Sequence, residues 1–194
     1  MPDQLELILK EIRDHLHDGA VNRRSALHTA VVGTSDGDLR VMVLRHFDRD
    51  TLSLRLHTDA RSQKVTAILD DPALSILFYD PEAKVQIRAR GIAMVEKQGA
   101  VADAAWAEST PFARRCYLSE FAPGASSDAA QSGLPEWVEG IVPTEAQLAP
   151  ARENFAVIMV ALSAFDWLYL ANSGHRRAKF EIVDGIIESR WLVP

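Results

Sequence analysis

The sequence predicts a mainly antiparallel β protein, either a barrel or a sandwich, with helices at its ends. Six or seven short stretches show the alternating or β-branched character of strands, and polar turns separate them. Two or three further stretches show the 3.6-residue period of amphipathic helices. Because strands and helices do not alternate regularly along the chain, a doubly wound parallel sheet is disfavoured.

Length and composition favour one globular domain over residues 1–194, with 47% hydrophobic and 25% charged residues. The single cysteine, Cys116, excludes an internal disulfide. No apolar stretch approaches the ~20 residues that span a bilayer, and the N-terminus lacks the apolar stretch of a signal peptide. A net charge of −6 argues against nucleic acid as a partner. We therefore expect a cytoplasmic protein with neither a membrane nor a nucleic-acid partner.

The first half of the chain predicts one helix, three strands and a second helix. Apolar residues at 5, 8, 9, 12 and 16 predict an amphipathic helix over residues 4–17, ended by Asp18-Gly19. A short helix is predicted over residues 59–70. Three strands between these helices are predicted to form an antiparallel meander, over residues 27–33, 39–47 and 51–57.

The second half continues with strands and helices until an irregular segment interrupts them. Strands are predicted over residues 73–79 and 84–95, and helices over residues 99–108 and 111–118. Proline, glycine and serine break every period between residues 119 and 149, which is typical of a loop that covers a site or of an arm. The chain ends in four predicted strands, over residues 155–162, 166–170, 179–183 and 186–192.

The stretch His57-Thr-Asp-Ala-Arg-Ser-Gln-Lys64 carries the clearest functional signal. It lies where a predicted strand ends and a predicted helix begins, so unpaired N–H groups of the first helical turn are available to an anion. Arg61, Ser62 and Lys64 add two cations and a hydroxyl at the same point. This combination is typical of a phosphate site, and the alternative interpretation is a solvated first turn with incidental charges.

Arg40 and Arg45 flank an apolar strand and are five residues apart, so they face opposite sides of it. One of them can approach the turn at Arg61 and Lys64, while the other faces a second pocket. The structural alternative is a pair of strand-end arginines at the boundary with water.

Two further polar groups lie on or beside predicted strands. Gln86 shares a polar strand face with Arg88 and Arg90, and its amide suits the edge of a heterocycle because it both donates and accepts hydrogen bonds. His175-Arg-Arg-Ala-Lys179 forms a second basic cluster between two strands, from which it can reach a ligand. Both groups are also compatible with simple exposure to solvent.

Several reaction classes find no support in the sequence. It contains neither G-x-G-x-x-G nor the P-loop pattern, so neither phosphate-binding motif is predicted. The six histidines show no metal-ligand spacing, and no serine or cysteine has the surroundings of a nucleophile. We expect neither hydrolase nor metalloenzyme chemistry, predict no metal site and identify no residue as catalytic.

Taken in order, these segments resemble the FMN-binding split barrels of the pyridoxamine 5′-phosphate oxidase family. That family has an Arg-x-Val-Leu-Leu-Lys strand, a Tyr-Thr-Asn-x-x-Ser-Arg-Lys turn, a Gln-Val-Arg strand and a C-terminal Arg-Leu-x-Pro. The counterparts here are Arg40-Val-Met-Val-Leu-Arg45, His57–Lys64, Gln86-Ile-Arg88 and Arg190-Trp-Leu-Val-Pro194. The resemblance implies a six- to seven-stranded antiparallel split β-barrel that binds FMN at the interface of a homodimer.

The resemblance also implies a set of ligand-binding residues. Arg40, Arg61, Ser62 and Lys64 would lie near the FMN phosphate, and Gln86 would meet the flavin held mainly by the other chain. Arg45, Arg176 and Arg177 are the candidates for holding an anionic small-molecule substrate. The remaining residues implied at the cofactor are Val41, Met42, Val43, Leu44, His57, Thr58, Gln131, Ser132, Trp167 (or Tyr169) and Lys179.

Departures from the family pattern concern the substrate more than the flavin. Arg45 stands where the family has a lysine that contacts substrate, and Gln63 stands where it has a cofactor arginine. His175-Arg-Arg-Ala-Lys179 stands where the oxidases have Arg-x-His-Asp-Arg. The implied chemistry is hydride transfer between a small organic substrate and FMN, with pyridoxamine 5′-phosphate at best a poor substrate.

Two alternatives remain open at this point. Some relatives handle haem on the same barrel, for which His46, His57 or His175 is the candidate axial ligand here. The barrel can also store or sense FMN without catalysis, since a fold does not determine a function. A visible absorption spectrum separates flavin from haem, and a turnover assay separates an enzyme from a sensor.

Overall fold

The computed structural model describes residues 4–194 as one curled antiparallel sheet of nine strands with helices around it. The helices are α1 (Gln4–Val21), α2 (Gln63–Asp70), α3 (Ala100–Glu108), α4 (Pro111–Arg114) and α5 (Glu145–Leu148). The strands are β1 (Thr29–Gly33), β2 (Leu39–Val43), β3 (His46–Asp48), β4 (Ser53–Asp59), β5 (Ala73–Asp80), β6 (Val85–Glu96), β7 (Phe155–Tyr169), β8 (Arg176–Val183) and β9 (Ile186–Leu192). The predicted mainly antiparallel β architecture is confirmed.

The sheet curls into an open barrel that the chain itself bridges at one seam. The strand order is β2-β1-β5-β6-β7-β4-β3, with β8 and β9 added beside β7. Its two ends, β2 and β3, are separated by only Leu44 and Arg45. The N–H of Leu44 donates to the carbonyl of His28 beside β1 (2.9 Å), and the N–H of Arg45 donates to the carbonyl of Arg55 on β4 (2.9 Å). The seam therefore holds through two backbone bonds rather than through a paired ladder.

Two clusters of buried side chains stabilise the barrel. The main cluster fills its interior, and α1 covers it with Ile12 and Leu16. A smaller cluster lies on the other face of β7, where Ala102 and Ala105 of α3 pack with Phe155 and Val157. Among residues 4–194 no helix is long and apolar enough to cross a membrane.

The first helix runs to Val21 rather than ending at residue 17. Gly19, expected to terminate it, is instead required by packing, because an added Cβ would lie 2.6 Å from the carbonyl oxygen of Leu27. This glycine allows α1 to approach the segment before β1, which is a role that turn statistics alone do not reveal.

The predicted meander of three strands is wrong. The stretch over residues 39–47 divides into β2, which pairs with β1, and β3, which pairs with β4. The division falls at Leu44 and Arg45, whose N–H groups donate to different neighbouring segments. Residues 27–47 therefore supply both ends of the sheet, and the strand over residues 51–57 follows as β4, at Ser53–Asp59.

The two strands predicted over residues 155–162 and 166–170 form one continuous strand, β7. A register shift opposite Arg90 and Gly91 accommodates the extra residue between Leu162 and Ala164, so pairing continues past the irregularity. The division of residues 39–47 and the joining of two predicted strands in β7 offset each other, so the nine predicted stretches give nine strands, more than the six or seven expected for the barrel. The first predicted strand begins at Thr29 instead of residue 27, and β8 begins at Arg176 instead of residue 179.

The helices of the middle of the chain are shorter than predicted. α2 begins at Gln63 rather than residue 59, because Asp59 to Ser62 form the turn that leads into it. Residues 111–118 divide into α4 and a 3-10 turn. The irregular segment over residues 119–149 contains two short helical pieces, Glu136–Val138 and α5, the latter opened by a capping box at Thr144 and Gln147.

Candidate functional site

Two buried hydroxyl groups and a lysine meet where β4 leads into α2. Thr58 on β4 is 5% exposed, and Ser62, which immediately precedes α2, is 3% exposed. The Oγ1 atom of Thr58 lies 3.2 Å from Oγ of Ser62. The Nζ atom of Lys64 donates to the same Thr58 oxygen at 3.3 Å. Lys64 thus places a positive charge beside two buried hydroxyl groups at one end of the barrel.

Arg40 on β2 brings a second positive charge near Lys64. Its guanidinium donates to Oγ1 of Thr34 at 3.0 Å and forms an ion pair with Asp38. Burial lowers the pKa of Lys64, and the charge of Arg40 lowers it further. An anion placed here would relieve that repulsion, so the arrangement favours anion binding. We call Arg40, Thr58, Ser62 and Lys64 the cation cluster.

The first turn of α2 adds backbone donors to the cation cluster. Ser62 occupies the N-cap position, but its hydroxyl donates to the carbonyl of Asp59 at 2.8 Å and accepts no N–H of the helix. The N–H of Val65 donates to the carbonyl of Ser62 at 2.9 Å, which leaves the N–H groups of Gln63 and Lys64 to an anion, as at many phosphate sites. This set of donors fits the terminal phosphate of FMN, the cofactor that the motifs imply.

Arg61 is engaged by the turn itself rather than by the cation cluster. Its Nε atom donates to Oδ1 of Asp59 at 3.0 Å, and its Nη2 atom donates to Oδ2 of Asp59 at 2.8 Å. Nη2 also donates to the carbonyl of Ser119 at 3.0 Å. The hydrogen bond to Asp59 raises the pKa of Arg61. The structure therefore gives Arg61 the role of fastening the turn to the start of the 119–149 segment.

The strand residues expected along the flavin divide between two faces of the sheet. Met42 and Leu44 are buried in the barrel interior. Val41, by contrast, is 68% exposed, and Val43 is half-buried. Because side chains alternate along a strand, only Val41, Val43 and the backbone of β2 can meet a ligand from outside the barrel.

A cleft of about 580 Å³ lies on the outer face of the sheet, and we call it the outer cleft. Apolar side chains of β1 and β5 form one wall, with Val31 and Leu77 paired across the strands. Gln86 lies in this cleft, and no hydrogen bond engages its amide within residues 4–194. Arg88, Arg90, Arg177 and Lys179 also line it. Here the structure brings together Gln86, Arg177 and Lys179 from the predicted set.

Asp166 holds two of these arginines in place. Nη2 of Arg88 donates to Oδ2 of Asp166 at 2.6 Å, and Arg177 donates to both carboxylate oxygens, at 3.0 and 2.8 Å. Although burial acts in the opposite direction, these arginines hold the pKa of Asp166 below its ordinary value. Sequence reasoning missed Asp166. The only available signal was its negative charge on a strand whose two neighbours, β6 and β8, carry basic residues.

Trp167 lies on the opposite face of the sheet from Gln86. Gln86 pairs with Leu168, so the adjacent Trp167 points to the other side. It is buried against α1, where its Nε1 atom donates to Oε1 of Glu11 at 3.4 Å. The resemblance places Trp167 with Gln86 and Lys179 at the cofactor, but the strand register separates it from both. Tyr169, the alternative, shares the face of Trp167.

Gln131 and Ser132 make their hydrogen bonds inside the 119–149 segment. Gln131 donates to Oγ of Ser127 at 2.6 Å, and Ser132 donates to Glu139. Both side chains are exposed. Within residues 4–194 the structure therefore does not connect this pair to the cation cluster.

The three arginines predicted to hold a substrate line three different cavities. Arg45 lines a cavity of about 210 Å³ with Arg55 and His57, which we call the Arg45 cavity. Arg176 faces α1, whereas Arg177 lies in the outer cleft. As their spacing predicts, Arg40 and Arg45 also lie apart, Arg40 in the cation cluster and Arg45 in the Arg45 cavity. Within one chain these arginines do not form a single substrate site.

His57 is a neutral imidazole in the Arg45 cavity. Burial, assisted by the charges of Arg45 and Arg55, lowers its pKa to about 3. Its ring meets Phe155 edge-on with 4.9 Å between centroids, and its Nε2 atom has no hydrogen-bond partner within residues 4–194. The other two haem-ligand candidates, His46 and His175, are exposed. Across the part of the chain that the structure describes, no group of three or more metal-ligating side chains occurs.

Residues 7–97 match the family described as "Pyridoxamine 5'-phosphate oxidase, FMN-binding domain". This segment contains β1 to β6, with the cation cluster and Gln86. The family resemblance is confirmed over residues 7–97, and the family model describes an FMN-binding domain, in agreement with the FMN cofactor that the motifs imply. No curated protein matches the chain.

Solved structures share the fold over nearly the whole chain. One is an FMN-binding protein related to pyridoxamine 5'-phosphate oxidase from Nostoc punctiforme PCC 73102, with a TM-score of 0.73 and 23% identity, covering 95% of this chain and 96% of that one. PhzG from Burkholderia lata 383, in complex with tetrahydrophenazine-1-carboxylic acid, has a TM-score of 0.70 and 18% identity, covering 100% and 94%. A protein related to general stress protein 26 from Clostridium acetobutylicum has a TM-score of 0.57 and 12% identity, covering 91% and 96%. The predicted split-barrel class is confirmed, with an open sheet.

Proposed function

Residues 7–97 carry the FMN-binding domain of the pyridoxamine 5′-phosphate oxidase family, and from this premise we propose that the chain is an FMN-dependent oxidoreductase. The observation that carries the proposal is the cation cluster, where Lys64 lies beside two buried hydroxyl groups and the charge of Arg40 acts on it. When bound, FMN supplies hydride transfer to or from a small organic substrate. The chain supplies binding, orientation and exclusion of water.

Each part of the site has a separate task in this proposal. Lys64 and Arg40 neutralise the terminal phosphate, and the N–H groups of Gln63 and Lys64 in the first turn of α2 donate hydrogen bonds to it. Thr58 accepts a hydrogen bond from Lys64 and so positions its ammonium group. The exposed edge of β2, at Val41 and Val43, lies along the rest of the cofactor. The free amide of Gln86 donates to and accepts from the edge of the flavin ring.

The shared site predicts a homodimer, in which Gln86 of one chain meets the FMN held by the other. The outer cleft supports this arrangement, because Val41 and Leu39 leave an exposed apolar edge beside it. Light scattering at micromolar concentration should give twice the mass of the chain. Gln86→Ala should weaken FMN binding without dissociating the dimer. A monomer that still binds FMN tightly would contradict the shared site.

Arg45 and Arg177 are the arginines that we propose for an anionic substrate, while Arg176 faces elsewhere. Arg45 replaces a lysine of the family, and a planar guanidinium does not place its donors as a compact ammonium does. Misplacing one contact at a reacting centre commonly lowers the rate by about a hundredfold. We therefore expect pyridoxamine 5′-phosphate to be a poor substrate.

Oxygen consumption by the FMN-loaded protein tests this function. With pyridoxamine or pyridoxine 5′-phosphate, turnover should stay well below the roughly 1–10 s⁻¹ of an ordinary enzyme. Reduced nicotinamides, mixed without oxygen, should bleach the visible flavin absorption. A protein that binds FMN but transfers no hydride from any donor would be a storage or sensing protein, and a Soret band in place of the flavin bands would indicate haem.

A further inference from the structure

A second cleft, separate from the cation cluster and the outer cleft, lies between α1 and the edge of the sheet formed by β7, β8 and β9. Its volume is about 450 Å³. Trp167, Tyr169, Trp191 and Arg176 line it from the sheet, and Leu7 and Glu11 line it from α1. We call it the α1 cleft. Neither the family match nor the proposed function gives it a task.

The sheet side of the α1 cleft is an aromatic wall. Trp167 and Tyr169 are two residues apart on β7, and their rings are nearly parallel, with 6.2 Å between centroids and 14° between planes. Trp191 on β9 faces the same side, because it pairs with Ala178, which in turn pairs with Trp167. Trp191 is 43% exposed and Leu7, on the opposite side of the cleft, is 52% exposed. Trp167 is only 6% exposed and backs this wall, so the ring surfaces open to another planar ring are those of Tyr169 and Trp191.

Of the two charged side chains in the α1 cleft, Glu11 and Arg176, only Glu11 has partners within residues 4–194. Oε1 of Glu11 accepts from Nε1 of Trp167 at 3.4 Å and lies 3.9 Å from Nε2 of His15. Arg176, next to Tyr169 in the strand register, forms no ion pair with any side chain of residues 4–194. A guanidinium that no carboxylate of residues 4–194 engages, at the end of an aromatic wall, favours a carboxylate ligand, which it binds with two parallel hydrogen bonds.

We propose that the α1 cleft binds a planar aromatic carboxylate, with its ring against Tyr169 and Trp191 and its carboxylate on Arg176. This site is distinct from the flavin site because strand alternation puts Arg176 and Arg177 on opposite faces of β8. The proposal does not depend on the oxidoreductase activity. FMN and the aromatic acid occupy their separate sites at the same time.

Calorimetric titration of the FMN-saturated protein with 2-naphthoate tests the proposal. We expect saturable binding of one naphthoate per chain. Arg176→Ala should weaken that binding by about ten- to a hundredfold, the usual worth of charge-assisted contacts. The matched control is Arg24→Ala, which removes an exposed arginine that lines none of the three cavities and should leave naphthoate binding unchanged. Trp191→Ala provides a second variant at an exposed position and should also weaken binding.

The same titration can overturn the proposal. The neutral amide, 2-naphthamide, should bind as weakly to the original protein as naphthoate binds to Arg176→Ala. Absence of naphthoate binding at millimolar concentration would contradict the site, as would equal losses in the Arg176 and Arg24 variants. Displacement of FMN by naphthoate would show that the acid occupies the flavin site instead.

Discussion

Lys64→Ala should weaken FMN binding by about ten- to a hundredfold, because each charge-assisted contact contributes roughly 1.5–3 kcal/mol. Riboflavin, which lacks the phosphate, should bind equally well to the variant and to the original protein. Quenching of flavin fluorescence during titration of the apoprotein measures both affinities. Thr58 and Ser62 would lose their cationic neighbour but keep their hydrogen bond to each other.

The matched control for Lys64 is Lys97→Ala, which removes an exposed lysine outside the cation cluster. Lys97→Ala should change neither the affinity for FMN nor the affinity for riboflavin. Because burial and Arg40 lower the pKa of Lys64, the preference for FMN over riboflavin should also shrink as the pH rises into the alkaline range and the ammonium loses its proton. Parallel losses of FMN and riboflavin in Lys64→Ala would contradict a phosphate contact and indicate a general disturbance of the turn.

Gly91→Ala should be the most destabilising small substitution in the sheet. An added Cβ would lie 2.4 Å from the carbonyl oxygen of Ala161 and 2.7 Å from a methyl group of Val160. Neither β6 nor β7 can move away without breaking the longest ladder of the sheet. We expect a loss of about 3 kcal/mol in the free energy of unfolding, the upper end for overpacking. Thermal unfolding should show a midpoint lowered by roughly 6–12 °C.

Gly33→Ala is the control for Gly91, since both glycines lie within strands. The added Cβ at Gly33 would meet a terminal methyl group of Leu39 at 2.9 Å, and that side chain is exposed and free to turn away. The midpoint should therefore change little. Similar losses in both variants would mean that any strand glycine is needed for its flexibility, and would contradict the role of the close backbone approach.

The residues of the cation cluster could be predicted because their signal is local. Thr58, Ser62 and Lys64 lie within seven consecutive positions, so the turn into α2 brings them together whatever the rest of the chain does. Arg40 and Arg45 were predicted to diverge from strand alternation alone, which also needs no long-range contact. Local periodicity likewise predicted α1, β5 and β6 close to their observed bounds.

Long-range register accounts for what the sequence could not predict. Whether Trp167 or Leu168 lies beside Gln86 depends on the register between β6 and β7, which are joined by a long segment. The bidentate pair of Arg61 with Asp59 could not be separated in advance from a contact of Arg61 with phosphate, because both are favourable for an arginine at that point. Asp166 became recognisable only when three strands placed Arg88 and Arg177 on either side of it.

The position of β7 in the sheet sets an order of events during folding. β7 pairs with β4, β6 and β8, and its partners in β4 precede it by almost half the chain, as Thr58 and Ala156 show. Contacts of such sequence separation form slowly, because a long loop must close before they contribute. β4 and β6 therefore keep unpaired edges until β7 becomes available, so the barrel closes late in folding. The segment 7–97 lacks β7 and is therefore no independent folding unit.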